Sequence, residues 1–116
     1  MILESDIIGG AMSKQHFFVR LIAPRPTFPM DMTDNEKKLM QEHARYTHAG
    51  FQAGKVLIYG PVMARGGAFG MAVFEVKDET ELRQFMENDP TVRAGLNRFE
   101  FHPMRVAAAQ GFGSEE

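Results

Sequence analysis

The chain has 116 residues, 44% of them apolar and 24% charged, and a formal net charge of −2. That is the make-up of one globular domain with one core, not of a fibrous or disordered chain. No Lys/Arg run offers itself to a nucleic-acid backbone or an anionic membrane, no apolar stretch nears the ~20 residues that span a bilayer, and the absence of cysteine excludes disulfides, thiolate catalysis and Cys-containing zinc sites.

Residues 1–15 read as an N-terminal extension. Gly9-Gly10 is a joint within it, and Met12 stands as an alternative start. Its apolar residues are interrupted by Glu4, Ser5 and Asp6, with no basic segment ahead of them, so it does not read as a secretory signal. A soluble, cytoplasmic protein follows as the expectation.

His16 to Ala23 (HFFVRLIA) is rich in β-branched and aromatic residues and predicts the first strand. Pro24, Pro26 and Pro29 then exclude regular pairing, so Pro24 to Met32 is a loop, either a plain connector or a lip over a pocket. Thr33-Asp34-Asn35-Glu36 has the spacing of a capping box, in which the Thr33 hydroxyl accepts from the Glu36 amide and the Glu36 carboxylate reaches back. A helix is predicted from about Asp34 to Gln52, stopped by Gly54. Its apolar stripe is Leu39, Met40, Ala44, Thr47 and Phe51, with His43, Tyr46 and Gly50 in the same arc.

Lys55 to Val62 predicts the second strand, interrupted at Gly60-Pro61, and Ala68 to Val76 the third. The Arg65-Gly66-Gly67 link between them implies an antiparallel hairpin. Asp78-Glu79-Thr80-Glu81 spells a second capping box, opening a helix to about Asn88 with Leu82, Phe85 and Met86 inward. Asp89-Pro90 starts a short turn of helix closed by Gly95. Asn97 to Ala108 is the last strand, with Pro103 marking an edge or bulge. The domain thus spans 16–110, and 111–116 is a loose tail.

The order β-α-β-β-α-β is that of a ferredoxin-like α+β fold with a four-stranded antiparallel sheet. The third strand puts Phe69, Met71 and Val73 on one face and Ala72, Phe74 and Val76 on the other, so both faces want cover. Two helices cover only one of them. The other predicts a homodimer built through the sheet face.

Nucleotide-loop, nucleophile-elbow and HExxH patterns are absent from the sequence. Of the four histidines, His43 and His48 lie five apart on one helix and point to different sides, so they cannot chelate one metal. His48 reads as solvated, and His16 and His102 as strand-end or edge residues. His43 sits in the apolar arc, where an imidazole is either a satisfied core residue or a functional one. Asp89 has the local explanation of capping the Pro90 turn.

Several separated pieces resemble the YCII-related (YciI-like) family: His43-Ala44-Arg45-Tyr46 on the first helix, Gly54-Lys55-Val56-Leu57-Ile58-Tyr59-Gly60-Pro61-Val62, Asp89-Pro90-Thr91-Val92-Arg93-Ala94-Gly95-Leu96, and His102-Pro103-Met104. The resemblance runs from residue 16 to about 108. It implies a dimeric α+β barrel with two sheets face to face, and a site in which His43 and Asp89 lie close together. Most members of the family have no assigned activity, and one line includes a dehydrochlorinase acting on a chlorinated hydroxyhydroquinone. This chain departs from the family pattern at Met40, where many members carry arginine, and at Thr91, where an aromatic is common.

Three functions are therefore carried forward. In the first, His43, oriented by Asp89, performs general acid–base chemistry of a lyase, dehydrochlorinase or isomerase kind on a small organic molecule, without metal or organic cofactor. Tyr59, Met40 and Tyr46 would contact the substrate. The second is a non-catalytic, ligand-binding dimeric module, which Met40 favours. In the third, His43 and Asp89 merely hold a structural dimer's helices together.

Overall fold

The structure is a computed structural model, and it describes residues 13–111. Most of the expected N-terminal extension, residues 1–12, and of the tail, residues 112–116, lies outside the described residues. Seven elements follow one another: β1 (Gln15–Ile22), α1 (Asp34–Gln52), β2 (Val56–Val62), β3 (Phe69–Val76), α2 (Glu79–Glu87), α3 (Pro90–Arg93) and β4 (Arg98–Met104). The sheet order is β2-β3-β1-β4, with every neighbouring pair antiparallel. This is the ferredoxin-like α+β arrangement.

Alternation sorts the strands into two faces. Phe17, Val19 and Leu21 of β1 lie beside Phe74, Ala72 and Gly70 of β3 and Pro103, Phe101 and Phe99 of β4. This is the helix side. Phe17, Val19, Leu21, Val56, Ala72, Phe74, Val76, Leu82 and Met86 form its buried core. The opposite face carries Phe18, Ile22, Ile58, Val62, Phe69, Met71 and Val73. Two polar pairs stand among them, the hydrogen-bonded His16–Glu75 at 3.0 Å and the ion pair Arg20–Glu100 at 3.7 Å.

The register of β2 breaks between Val56, opposite Phe74, and Ile58, opposite Val73. Leu57 is the extra residue. In regular alternation Val56 and Ile58 would share a face; with the bulge, Val56 and Tyr59 do. The bulge therefore turns Tyr59 towards the helices.

Both helix starts follow from their side chains. Thr33 and Glu36 make the full capping box on α1. Asp78 accepts from the Glu81 amide at 2.9 Å, but Glu81 Oε1 accepts from the Lys77 amide at 2.7 Å, so the second expected box is formed in one direction only. α1 is also rotated from the expected stripe. Thr47 and Gly50 are its buried residues, whereas Phe51 is 43% exposed. The cause is local: a Cβ on Gly50 would meet Phe85 Cζ at 2.6 Å, so the helix seats its bare glycine on that ring. Phe51 instead packs beside His48 and Tyr59 at the surface. The last strand is shorter than expected, ending at Met104 and not at Ala108.

Candidate active site

α1 and α3 approach each other over the sheet, and that contact brings a helix residue and a turn residue together. His43 Nδ1 lies 2.5 Å from Asp89 Oδ2. Asp89 is 1% exposed, while the His43 side chain retains 22% of its surface. The other carboxylate oxygen accepts from the Thr91 amide at 2.8 Å and the Thr91 hydroxyl at 2.6 Å. Asp89 therefore caps α3 with one oxygen and holds His43 with the other.

Burial alone would push the Asp89 carboxyl up. The hydrogen bond from His43, the charge of that ring and the two donations from Thr91 outweigh it, and hold the group below its ordinary value. An ionised Asp89 accepts the Nδ1–H of His43 and so selects the tautomer. Thr47 Oγ1 lies 3.4 Å from the same nitrogen. Among the described residues Nε2 has no hydrogen-bond partner.

A cavity of about 330 Å³ opens beside this pair. His43, Asp89, Met40, Thr47 and Tyr59 line it, and apolar wall is supplied by Val19, Leu21, Ala72, Phe74 and Met86. The volume suits a small organic molecule. Phe28 and Pro29 reach the cavity from the proline-rich loop, which is therefore a lip. Arg25 fastens that lip. Its guanidinium makes a two-pronged contact with Glu36 at 2.7 and 2.9 Å and bonds Asp31 at 2.9 Å. The hydrogen bond from Arg25 is the main reason that Glu36 is lowered to about 2.

Of the residues singled out from the sequence, His43, Asp89, Met40 and Tyr59 share this cavity, and Tyr46 is not among its lining residues. The Tyr46 hydroxyl donates to the Phe85 carbonyl at 2.7 Å. Burial, and then the charge of Asp89, raise its pKa. His48, expected as a plain solvated residue, has Nδ1 2.6 Å from the Tyr59 hydroxyl and thus buttresses a cavity residue. His16 pairs with Glu75, and His102 is exposed on β4. Among the described residues no three His, Asp or Glu side chains gather as metal ligands.

Two polar residues of the site had no role assigned to them from the sequence. Thr91 orients Asp89. Asn97, which lines the cavity, is only 6% exposed, and its Oδ1 has no partner among the described residues. A signal for Asn97 was present: residues 97, 99 and 101 alternate onto one face, and Phe99 and Phe101 pack against the core.

A model of the YCII-related domain matches residues 16–105. The chain belongs to the YCII-related domain family. A comparison with curated proteins returns no match. The YCII-related match takes in β1 to β4 and every cavity residue named above. No helix among the described residues is long and apolar enough to cross a membrane.

Proposed function

We propose that this YCII-related protein is an acid–base catalyst in which His43, held by Asp89, moves a proton on a small organic molecule. The observation that carries this reading is the 2.5 Å His43–Asp89 contact at the edge of an apolar cavity, with Nε2 left free. With Asp89 accepting from Nδ1–H, the neutral ring presents the Nε2 lone pair as a base. After taking a proton from a carbon or oxygen acid, the ring carries a positive charge that Asp89 balances. Nε2–H then returns the proton to another position of an isomerising substrate. In an elimination the C–H electrons form the double bond while the leaving group departs with its own electron pair. Lyase, dehydrochlorinase and isomerase reactions all reduce to these steps, and none requires a cofactor.

The helix-free sheet face is assigned to a second copy of the chain. Its apolar residues and its polar pairs, Arg20 with Glu100 and His16 with Glu75, are suited to a twofold contact between like faces. Localisation in the cytoplasm, with no membrane or nucleic-acid partner, belongs to the same proposal.

His43→Asn keeps a polar ring-sized group on the helix and removes the proton-carrying nitrogen. It is expected to keep the fold by circular dichroism and to lower turnover of an enolisable or halogenated substrate by about 100- to 10,000-fold. Unchanged turnover refutes the catalytic role of His43. One observation favours a second reading, a ligand-binding module: Met40 lines the cavity and supplies no charge to an anionic substrate.

A further inference from the structure

Asn97 is built into the cavity at an apparent cost to stability. It is 6% exposed, and its Oδ1 is buried without a hydrogen-bond partner among the described residues. The other end of the carboxamide is scarcely better served, since Nδ2 donates only to the Met40 sulfur at 3.4 Å. Thioether sulfur is a weak acceptor. Buried polar groups are normally satisfied, and one left open beside a cavity calls for a ligand.

The backbone shows why this residue stands there. α3 is closed by Gly95 at φ +75°, and the amides of Leu96 and Asn97 both donate to the Thr91 carbonyl, at 2.9 and 3.1 Å. Thr91 also donates twice to Asp89. One short turn thus positions Asp89 at its start and Asn97 at its end, and both line the cavity that His43 lines. Asn97 immediately precedes β4 on the side that Phe99 and Phe101 share, so its side chain is directed to the helix layer.

We propose that Asn97 is the substrate-positioning residue of this site, and that it recognises a ligand hydroxyl or N–H by accepting its hydrogen bond at Oδ1. The inference rests on the acid–base reading for the use of the site, but not for the binding itself. Oδ1 is buried, and a ligand draws it out by rotation about the terminal carboxamide torsion, which is broad and soft. The ligand class is a small, mainly apolar molecule with two polar positions: one reached by His43 Nε2, and one donor reached by Asn97. A neutral acceptor suits an uncharged donor, in keeping with the uncharged thioether of Met40 beside it. Hydroxylated rings and enols with a second hydroxyl meet these requirements.

The test uses resorcinol and its monomethyl ether as probes, with binding to the full chain followed by NMR titration. The wild type is expected to bind resorcinol about tenfold more tightly, the equivalent of one hydrogen bond of ordinary strength. Asn97→Leu, close in shape and apolar, is expected to lose that preference while unfolding at a temperature no lower than the wild type. Asn97→Ala removes the same acceptor without adding bulk and is expected to lose the preference too. A preference retained in both variants overturns the proposal. So does a wild type that binds the two rings equally or binds neither. Turnover is read separately: a wild type with the resorcinol preference but without proton-transfer activity on any substrate refutes the acid–base reading and leaves Asn97 as a binding residue.

Discussion

Asp89 carries three hydrogen bonds on two oxygens while almost wholly buried. Removing it leaves His43 Nδ1 and both Thr91 donors without their acceptor. Asp89→Ala is therefore expected to cost on the order of 3 kcal/mol in chemical denaturation, more than the loss of an ordinary helix cap. Its folded pKa is lowered, so its contribution is fully present above its unfolded value of about 3.9 and is lost as pH falls through the folded value. Glu36, lowered to about 2 chiefly by the hydrogen bond from Arg25, acts in the same direction. The wild type is expected to lose stability progressively below about pH 4, with a shallower acid slope in Asp89→Ala. Equal slopes in the two proteins would show that Asp89 is not held ionised by its neighbours. At this scale the sequence was partly legible. His43 stood out because an imidazole in an apolar arc needs a partner. Asp89 as that partner came from the family resemblance, since residues 46 apart share no local pattern. Asn97 was hidden inside what looked like the start of a strand.

At the scale of elements, the contact of α1 with α2 depends on Gly50. A Cβ there would stand 2.6 and 2.8 Å from the Phe85 ring. That ring is confined by Tyr46, with centroids 4.6 Å apart, and by Phe74 at 5.2 Å, so it has little room to yield. Two effects compete in Gly50→Ala. Helix propensity favours alanine by about 1 kcal/mol, and overpacking costs about 1–3 kcal/mol. Overpacking is expected to win, giving a net loss of about 1 kcal/mol in thermal or urea unfolding. A gain in stability would mean that Phe85 moves freely. Helix starts were legible because Thr33 and Asp78 announce themselves by side-chain chemistry. The rotation of α1 was not, because a glycine in the apolar arc says nothing of which ring it meets. The Leu57 bulge was equally silent: an inserted residue in an apolar strand leaves the composition unchanged, yet it decides the side on which Tyr59 stands.

For the whole molecule, the β-α-β-β-α-β order and the antiparallel sheet followed from the alternation of elements and from one short glycine-rich hairpin. The two-sided apolar character of β3 was legible as well. What covers the second face was not, since a sheet face records that it wants cover without naming the cover. If a second copy fills that role, light scattering at micromolar concentration should give twice the 13.1 kDa chain mass. Replacing Val73, at the centre of that face, by arginine should return the mass to that of one chain by placing like charges opposite each other. A wild type that scatters as a single chain would contradict the proposed dimer.

The central claim is that Asp89 holds His43 with Nδ1 protonated, so that Nε2 faces the substrate as the base. Long-range ¹H–¹⁵N correlation spectra report the tautomer of a neutral imidazole directly, with no substrate required. Expected for His43 is a protonated Nδ1 and an unprotonated Nε2, with the preference reduced in Asp89→Ala. A neutral His43 carrying its proton on Nε2 would leave no lone pair for the substrate and would contradict the mechanism.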